Sequence, residues 1–127
     1  MLSVVGAWSL VAALGALVLP SPASAQPAPG SNGKVLVLDS TVTGGTSSTE
    51  AQEAVADGYG VDVVDASTWA SMTTADFSAY KAIILGDPTC STDPSTVAAA
   101  ASDASVWGAA VTGNVEVIGS DPVYHAT

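Results

Sequence analysis

Basic side chains are almost missing from this chain. Of 127 residues only Lys34 and Lys81 carry one, against twelve Asp and Glu, for a net charge of −10. Nucleic acids and anionic membrane surfaces are held by clustered Lys and Arg, so the balance speaks against nucleic acid as a partner. Cysteine is nearly absent too: Cys90 stands alone, which excludes an intrachain disulfide. The thiol is then either a small apolar residue at the start of a loop or half of a bond to another chain. No internal repeat or heptad pattern runs through the sequence. Charged residues of both signs make up only 11%. Ala, Ser, Thr and Gly take their place, as they do in secreted bacterial domains.

The first 25 residues read as a separate segment. An apolar run over 4–19 is followed by Pro20-Ser21-Pro22 and the small-residue site Ala23-Ser24-Ala25. No Lys or Arg precedes the run, but its length and its end are those of a secretory signal peptide, with cleavage after Ala25. A membrane span wants about 20 apolar residues, and this run is broken by Gly6, Ser9 and Gly15. The expected localisation is therefore secreted, with no membrane span once the signal is removed. Residues 26–33, rich in Pro, Gly and Ser, read as a disordered linker. Residues 34–127 suffice for one small domain with one core and not for two.

Tyr80-Lys81-Ala82-Ile83-Ile84-Leu85-Gly86-Asp87-Pro88 organises that domain. A strand covered on one face alternates, whereas one covered on both faces is apolar without a break. Residues 81–86 therefore predict a central parallel strand. The run Val35-Leu36-Val37-Leu38 predicts another over 34–39, and Val61-Asp62-Val63-Val64 one over 61–65. Val115-Glu116-Val117-Ile118 predicts a fourth over 115–119. Between the first two strands, Ser47 and Glu50 have capping-box spacing, and a helix from there to Gly58 would turn Ala51, Ala54 and Val55 inward. Residues 66–80 predict two short helical turns capped by Ser67 and Thr73, with Trp69, Met72, Phe77 and Tyr80 facing the core. Asp93 and Pro94 open the longest helix, which carries Val97, Ala100, Ala101, Ala104, Trp107 and Val111 at helical spacing up to Gly113. Strands alternating with helices predict a three-layer α/β fold: a parallel, Rossmann-like sheet of four strands in the order 2-1-3-4.

Ligands of open α/β sheets bind at the carboxyl ends of the strands. Here the loops 39–48, 86–93 and 119–126 meet at that edge. Thr41-x-Thr43-Gly44-Gly45-Thr46 resembles the phosphate loop of flavodoxins, Gly86-x-Pro88-Thr89 the segment after their third strand, and Gly119-x-Asp121-x-x-Tyr124 the one after their fourth. The resemblance implies a flavodoxin-like fold and an FMN crevice built from Thr41, Thr43, Gly44, Gly45, Thr46, Asp87, Thr89, Asp121 and Tyr124. Cys90 stands where flavodoxins place a stacking aromatic. The strand pattern is also similar to class I glutamine amidotransferase-like domains, whose turn after the fourth strand carries a nucleophilic cysteine. Here that turn reads Ile118-Gly119-Ser120-Asp121-Pro122-Val123-Tyr124-His125, so Ser120 or Asp121 stands where the cysteine would be; the further alternative is an amidotransferase-like or esterase-like hydrolase with Ser120 as candidate nucleophile and its catalytic His and Glu missing from this chain. A similar Gly-Ser-Asp-Pro-Val-Tyr-His turn ends domains of secreted bacterial proteins of unknown role, and that likeness implies a relative without catalysis. Asp39, Asp87 and Asp121 each end a strand and are candidate ligands for a hard cation such as Ca²⁺, although strand-end carboxylates also cap helices and turns.

The expected function is a secreted, non-catalytic α/β module for binding or scaffolding, the N-terminal part of a larger extracellular protein. No cofactor is expected in that case, and FMN is the alternative. Only eight residues come after the fourth strand, so a flavodoxin-like sheet would be truncated there. A further segment or partner chain is then expected to complete it.

Overall fold

Val35 to Leu38, four consecutive aliphatic residues, are all buried and form the middle of the sheet. A computed structural model describes residues 27–88 and 94–117. Strand β1, Lys34–Leu38, pairs in parallel with β2, Gly60–Val64, on one side. On its other side it pairs in parallel with β3, Ala82–Ile84. The order is β2-β1-β3. The α/β class, the parallel sheet and the relative order of the first three strands agree with expectation.

Unbroken apolar strands predict cover on both faces, and both are covered. Leu36 and Leu38 point to one side, where Trp69, Phe77 and Ala100 complete a buried core. Val35 and Val37 point to the other, against Val42 and the half-buried Ala54, Val61, Val63 and Ile84. The first face is held by α2, Ala66–Ser71, α3, Thr74–Ser78, α4, Ala98–Ser102, and α5, Ala104–Ala110. The second is held by α1, Thr49–Ala56. Trp69 anchors the thicker side, edge-on to Phe77 at 4.8 Å and to Trp107 at 6.5 Å between ring centres. Offset and edge-on geometries of this kind suit the charge distribution of aromatic rings. Met72 and Tyr80 pack against the same core, as their spacing predicts.

Several expectations need correction. Among the described residues the sheet has three strands, not four: 115–117 has no strand pairing, and Val115 and Val117 are 74% and 88% exposed. The third strand is shorter than 81–86 and lies at the edge of the described sheet, so β1 is the central one. The ladder to β3 ends at the pair Val37–Ile84 because β1 turns away into the 3-10 turn Asp39–Thr41. The single long helix is instead a 3-10 turn, Pro94–Val97, followed by α4 and α5, with the break at Asp103. Side-chain donors compete for helix carbonyls at that break. The Trp107 indole N–H donates to the Ala100 carbonyl at 2.7 Å, and the Ser102 hydroxyl to that of Ala98 at 2.8 Å.

Caps shift in the same way. Ser48, not Ser47, accepts the Ala51 N–H, since the 3-10 turn Gly45–Ser47 carries the chain one residue further before α1 starts. Val55 consequently lies on the outer face of α1 and is 54% exposed. Asp65, not Ser67, caps α2, and the Ser67 hydroxyl itself donates to Asp65. Thr73 caps α3 as predicted, in a reciprocal box with Asp76.

Residues 27–33 of the predicted linker are docked on α3 and the turn after it. Gly30 donates to the Ser78 carbonyl at 2.8 Å and Asn32 to that of Ala79 at 3.0 Å. Gly30 is buried and takes a left-handed φ of 66°, a backbone conformation that favours glycine. No helix among the described residues is long and apolar enough to cross a membrane. The signal segment, Cys90, the Asp93 cap and Ile118 onward lie outside the described residues.

Candidate functional site

The carboxyl edge of the sheet is built by two loops. Leaving β1, the chain makes the 3-10 turn Asp39–Thr41, in which the buried Thr41 hydroxyl donates to the Leu38 carbonyl at 2.7 Å. Gly44 and Gly45 come next, with φ of 95° and 57°. That left-handed turn is open to glycine at no steric cost, and it swings the chain into the second 3-10 turn and then α1. Gln52 Nε2 donates back to the Thr46 carbonyl at 2.8 Å, tying the loop to the helix it feeds. Ser40 ties the same loop to the other side of the sheet by donating to the Thr96 carbonyl at 2.7 Å.

The second loop leaves β3 through Leu85 and Gly86. A Cβ on Gly86 would run into the Thr41 carbonyl oxygen and stand 3.3 Å from Glu50 Oε1. The two loops are therefore in backbone contact. Thr41, Thr43, Gly44, Gly45, Thr46 and Asp87 share this edge, as the sequence predicts. Thr41 is turned inward, while Thr43, Thr46 and Asp87 are exposed. Thr89, Ser120, Asp121, Tyr124 and His125 lie outside the described residues.

Electrostatically the edge is one-signed. Asp39 and Asp87 stand just past the strand ends, and Glu50 reaches the Gly86 backbone. Both lysines sit at the opposite edge, where the parallel strands begin. Lys34 is committed there to Asp62, with contacts of 2.9 and 3.1 Å. A phosphate at the 41–46 loop would meet carboxylates and no cation among the described residues, with one of the three threonine hydroxyls already bonded to backbone. Among the described residues no group of three or more His, Cys, Asp or Glu is placed to hold a metal ion.

Two features escaped the sequence reading. At the opposite edge Tyr80 donates from its hydroxyl to Asp62 Oδ2 at 3.0 Å, which joins Lys34, Asp62 and Tyr80 in one network. Burial, then the hydrogen bond to Asp62, pushes the Tyr80 phenol up to about 12. It is a donor rather than a base. Nearby carboxylates move the other way: the Thr68 N–H and Ser67 hydroxyl lower Asp65, and the Thr73 hydroxyl and N–H lower Asp76. The other feature is a groove of about 650 Å³ beside the outer edge of β3, between Ile83 and Leu85 on one wall and Trp107, Ala110, Val115 and Val117 on the other. Its only trace in the sequence is the alternation Val115-Glu116-Val117.

Comparison with known proteins finds no matching family model, no matching curated protein and no matching solved structure.

Proposed function

We propose that this chain is an exported, non-catalytic α/β module of flavodoxin-like topology, acting by binding or scaffolding. The observation that carries this is the state of the carboxyl edge. Thr41 spends its hydroxyl on the Leu38 carbonyl, Ser48 spends its own on capping α1, and Gly86 closes against the Thr41 carbonyl. Thr41, the first hydroxyl of the phosphate-loop pattern, and the Gly86 backbone are used here to hold the turn and join the two loops. The carboxylates beside them repel anionic ligands. Strand order β2-β1-β3 supports the flavodoxin-like arrangement, whose finer form is a four-stranded sheet in the order 2-1-3-4. Export rests on the apolar run over 4–19 and the small-residue site after it.

The test is direct. The full chain is expressed with its leader, collected from the medium and sequenced from its new N-terminus at Gln26. The product is expected to be colourless, to leave FMN fluorescence unquenched at micromolar concentration, and to hydrolyse ester and amide substrates no faster than buffer. Micromolar FMN binding, or a hydrolysis that disappears in Ser120→Ala, overturns the reading.

A further inference from the structure

We propose that the Asn32-Gly33 turn is a self-modifying site. The Gly33 nitrogen attacks the Asn32 carboxamide, and opening of the resulting imide to isoaspartate frees the docked segment 27–33 from α3. The atoms balance with water alone. Gly33 gives its N–H proton to solvent, its nitrogen bonds to Asn32 Cγ, and the Cγ–Nδ2 bond breaks as ammonia leaves with a proton. Water then adds to a carbonyl of the cyclic imide and breaks its bond to nitrogen, with no oxidation or reduction. The sequence holds two asparagines, Asn32 and Asn114, and only Asn32 precedes a glycine. A glycine brings no Cβ to the attacking nitrogen, whereas Val115 after Asn114 brings a branched one.

The turn is arranged for the attack. Lys34 N–H donates to Asn32 Oδ1 at 2.9 Å, closing an Asx-type ring through the Gly33 peptide. That ring turns the carboxamide back along the chain toward the Gly33 nitrogen. It also sets a donor on the oxygen where negative charge gathers as the nitrogen adds to Cγ. Gly33 has a φ of 71°, and a Cβ built on it would meet no atom within 4 Å, so the approach is open. Both residues are exposed, which brings water to the imide. The bond from Gly33 N–H to the Gly30 carbonyl must open first. At 3.2 Å it is longer than the 2.8 to 3.0 Å of its neighbours in the segment, at the far end of the usual N–H···O range.

The consequence falls on docking. In isoaspartate the main chain runs through Cβ and Cγ, so it gains an atom between residue 32 and Gly33, and a carboxylate branches from Cα. On one side of that junction Gly30 and Asn32 are held by the Ser78 and Ala79 carbonyls, at 2.8 and 3.0 Å. On the other, Lys34 opens β1, paired with Gly60 and accepting the Lys81 N–H on its carbonyl at 2.7 Å. A longer chain between the two anchors cannot keep both in register. Val35 to Leu38 are buried, so β1 stays and the exposed segment before it shifts.

Storage of the purified full chain in neutral buffer, followed by methyl labelling with an isoaspartate-specific methyltransferase and peptide mapping, tests the chemistry. Label is expected at residue 32 at a rate at least about tenfold that at Asn114, whose neighbour is branched. Equal rates at the two positions, or no isoaspartate at residue 32 in the folded protein, overturn the proposal. Asn32→Gln should abolish the label at this position, and label that persists there would sink the chemistry. Amide hydrogen exchange then reads the docking. The amides of residues 30 and 32 are expected to exchange faster in the converted protein than in the fresh one, with 35–38 unchanged. Fresh Asn32→Asp, which adds the charge without the longer chain, should keep them protected. Unchanged protection after conversion, or an equal loss in Asn32→Asp, overturns the release of the segment.

Discussion

Tyr80 shows how much a single side chain owes to its depth. Its hydroxyl is held by Asp62, and its phenol is raised from 10.0 to about 12. A phenol raised in the folded state keeps its proton there after the unfolded chain has lost it. The contribution is therefore complete below the unfolded value and declines as pH rises from 10.0 toward about 12. Tyr80→Phe should lower the urea midpoint at neutral pH by an amount near one hydrogen bond, about 1 kcal/mol. It should also flatten the fall in stability over the alkaline window, where an unchanged slope would separate the phenol from the effect. Thr41 makes the same point from the other end of the strands. Thr41, Thr43 and Thr46 are chemically alike in the sequence, yet Thr41 is buried and bonded to Leu38 while the other two face solvent.

At the scale of elements, the period and type of most segments were legible and the boundaries were not, while 115–119 reads as a strand and its described part, 115–117, has no strand pairing. Val35 to Leu38 reads as a strand covered on both faces because no polar residue interrupts it, and it is one. The start of α1 depends on a competition between two adjacent serines, which the 3-10 turn Gly45–Ser47 decides for Ser48. Ser48→Ala should therefore cost about 1 kcal/mol in a urea melt. Ser47→Ala should leave the midpoint where it is, and equal losses would return the cap to the earlier position. The break at Asp103 was equally hidden. Ala-rich sequence from 98 to 110 favours a continuous helix by propensity, and the bond from the Trp107 indole to the Ala100 carbonyl is a contact that spacing alone does not reveal.

Across the whole molecule the sheet divides unequal burdens. Among the described residues one face rests on the single helix α1, the other on four helices gathered around Trp69. Trp69 is fully buried and touches both Phe77 and Trp107. Trp69→Ala should remove about 3–5 kcal/mol, a large part of the roughly 5–15 kcal/mol that holds a domain of this kind. Val55→Ala, on the exposed side of α1, should stay within about 0.5 kcal/mol of wild type. Guanidinium melts of the two variants side by side check this, and comparable losses would mean that α1 carries more of the fold than its burial suggests. Charge is divided as well: the lysines lie where the strands begin, and Asp39, Glu50 and Asp87 lie where the strands end.

Sequence alone determined the α/β class, the parallel pairing, the cover on both faces and the inward set of Trp69, Met72, Phe77 and Tyr80. Those depend on apolar periodicity and connection length, which are local properties of a chain. Tertiary structure decided that Thr41 turns inward, that Gly86 meets the Thr41 carbonyl, that Tyr80 reaches Asp62 and that 115–117 stands beside β3 unpaired. Each of these is a meeting of residues distant in the chain or a choice between chemically equal neighbours. Depth and facing follow from how the layers pack, and no local pattern encodes them.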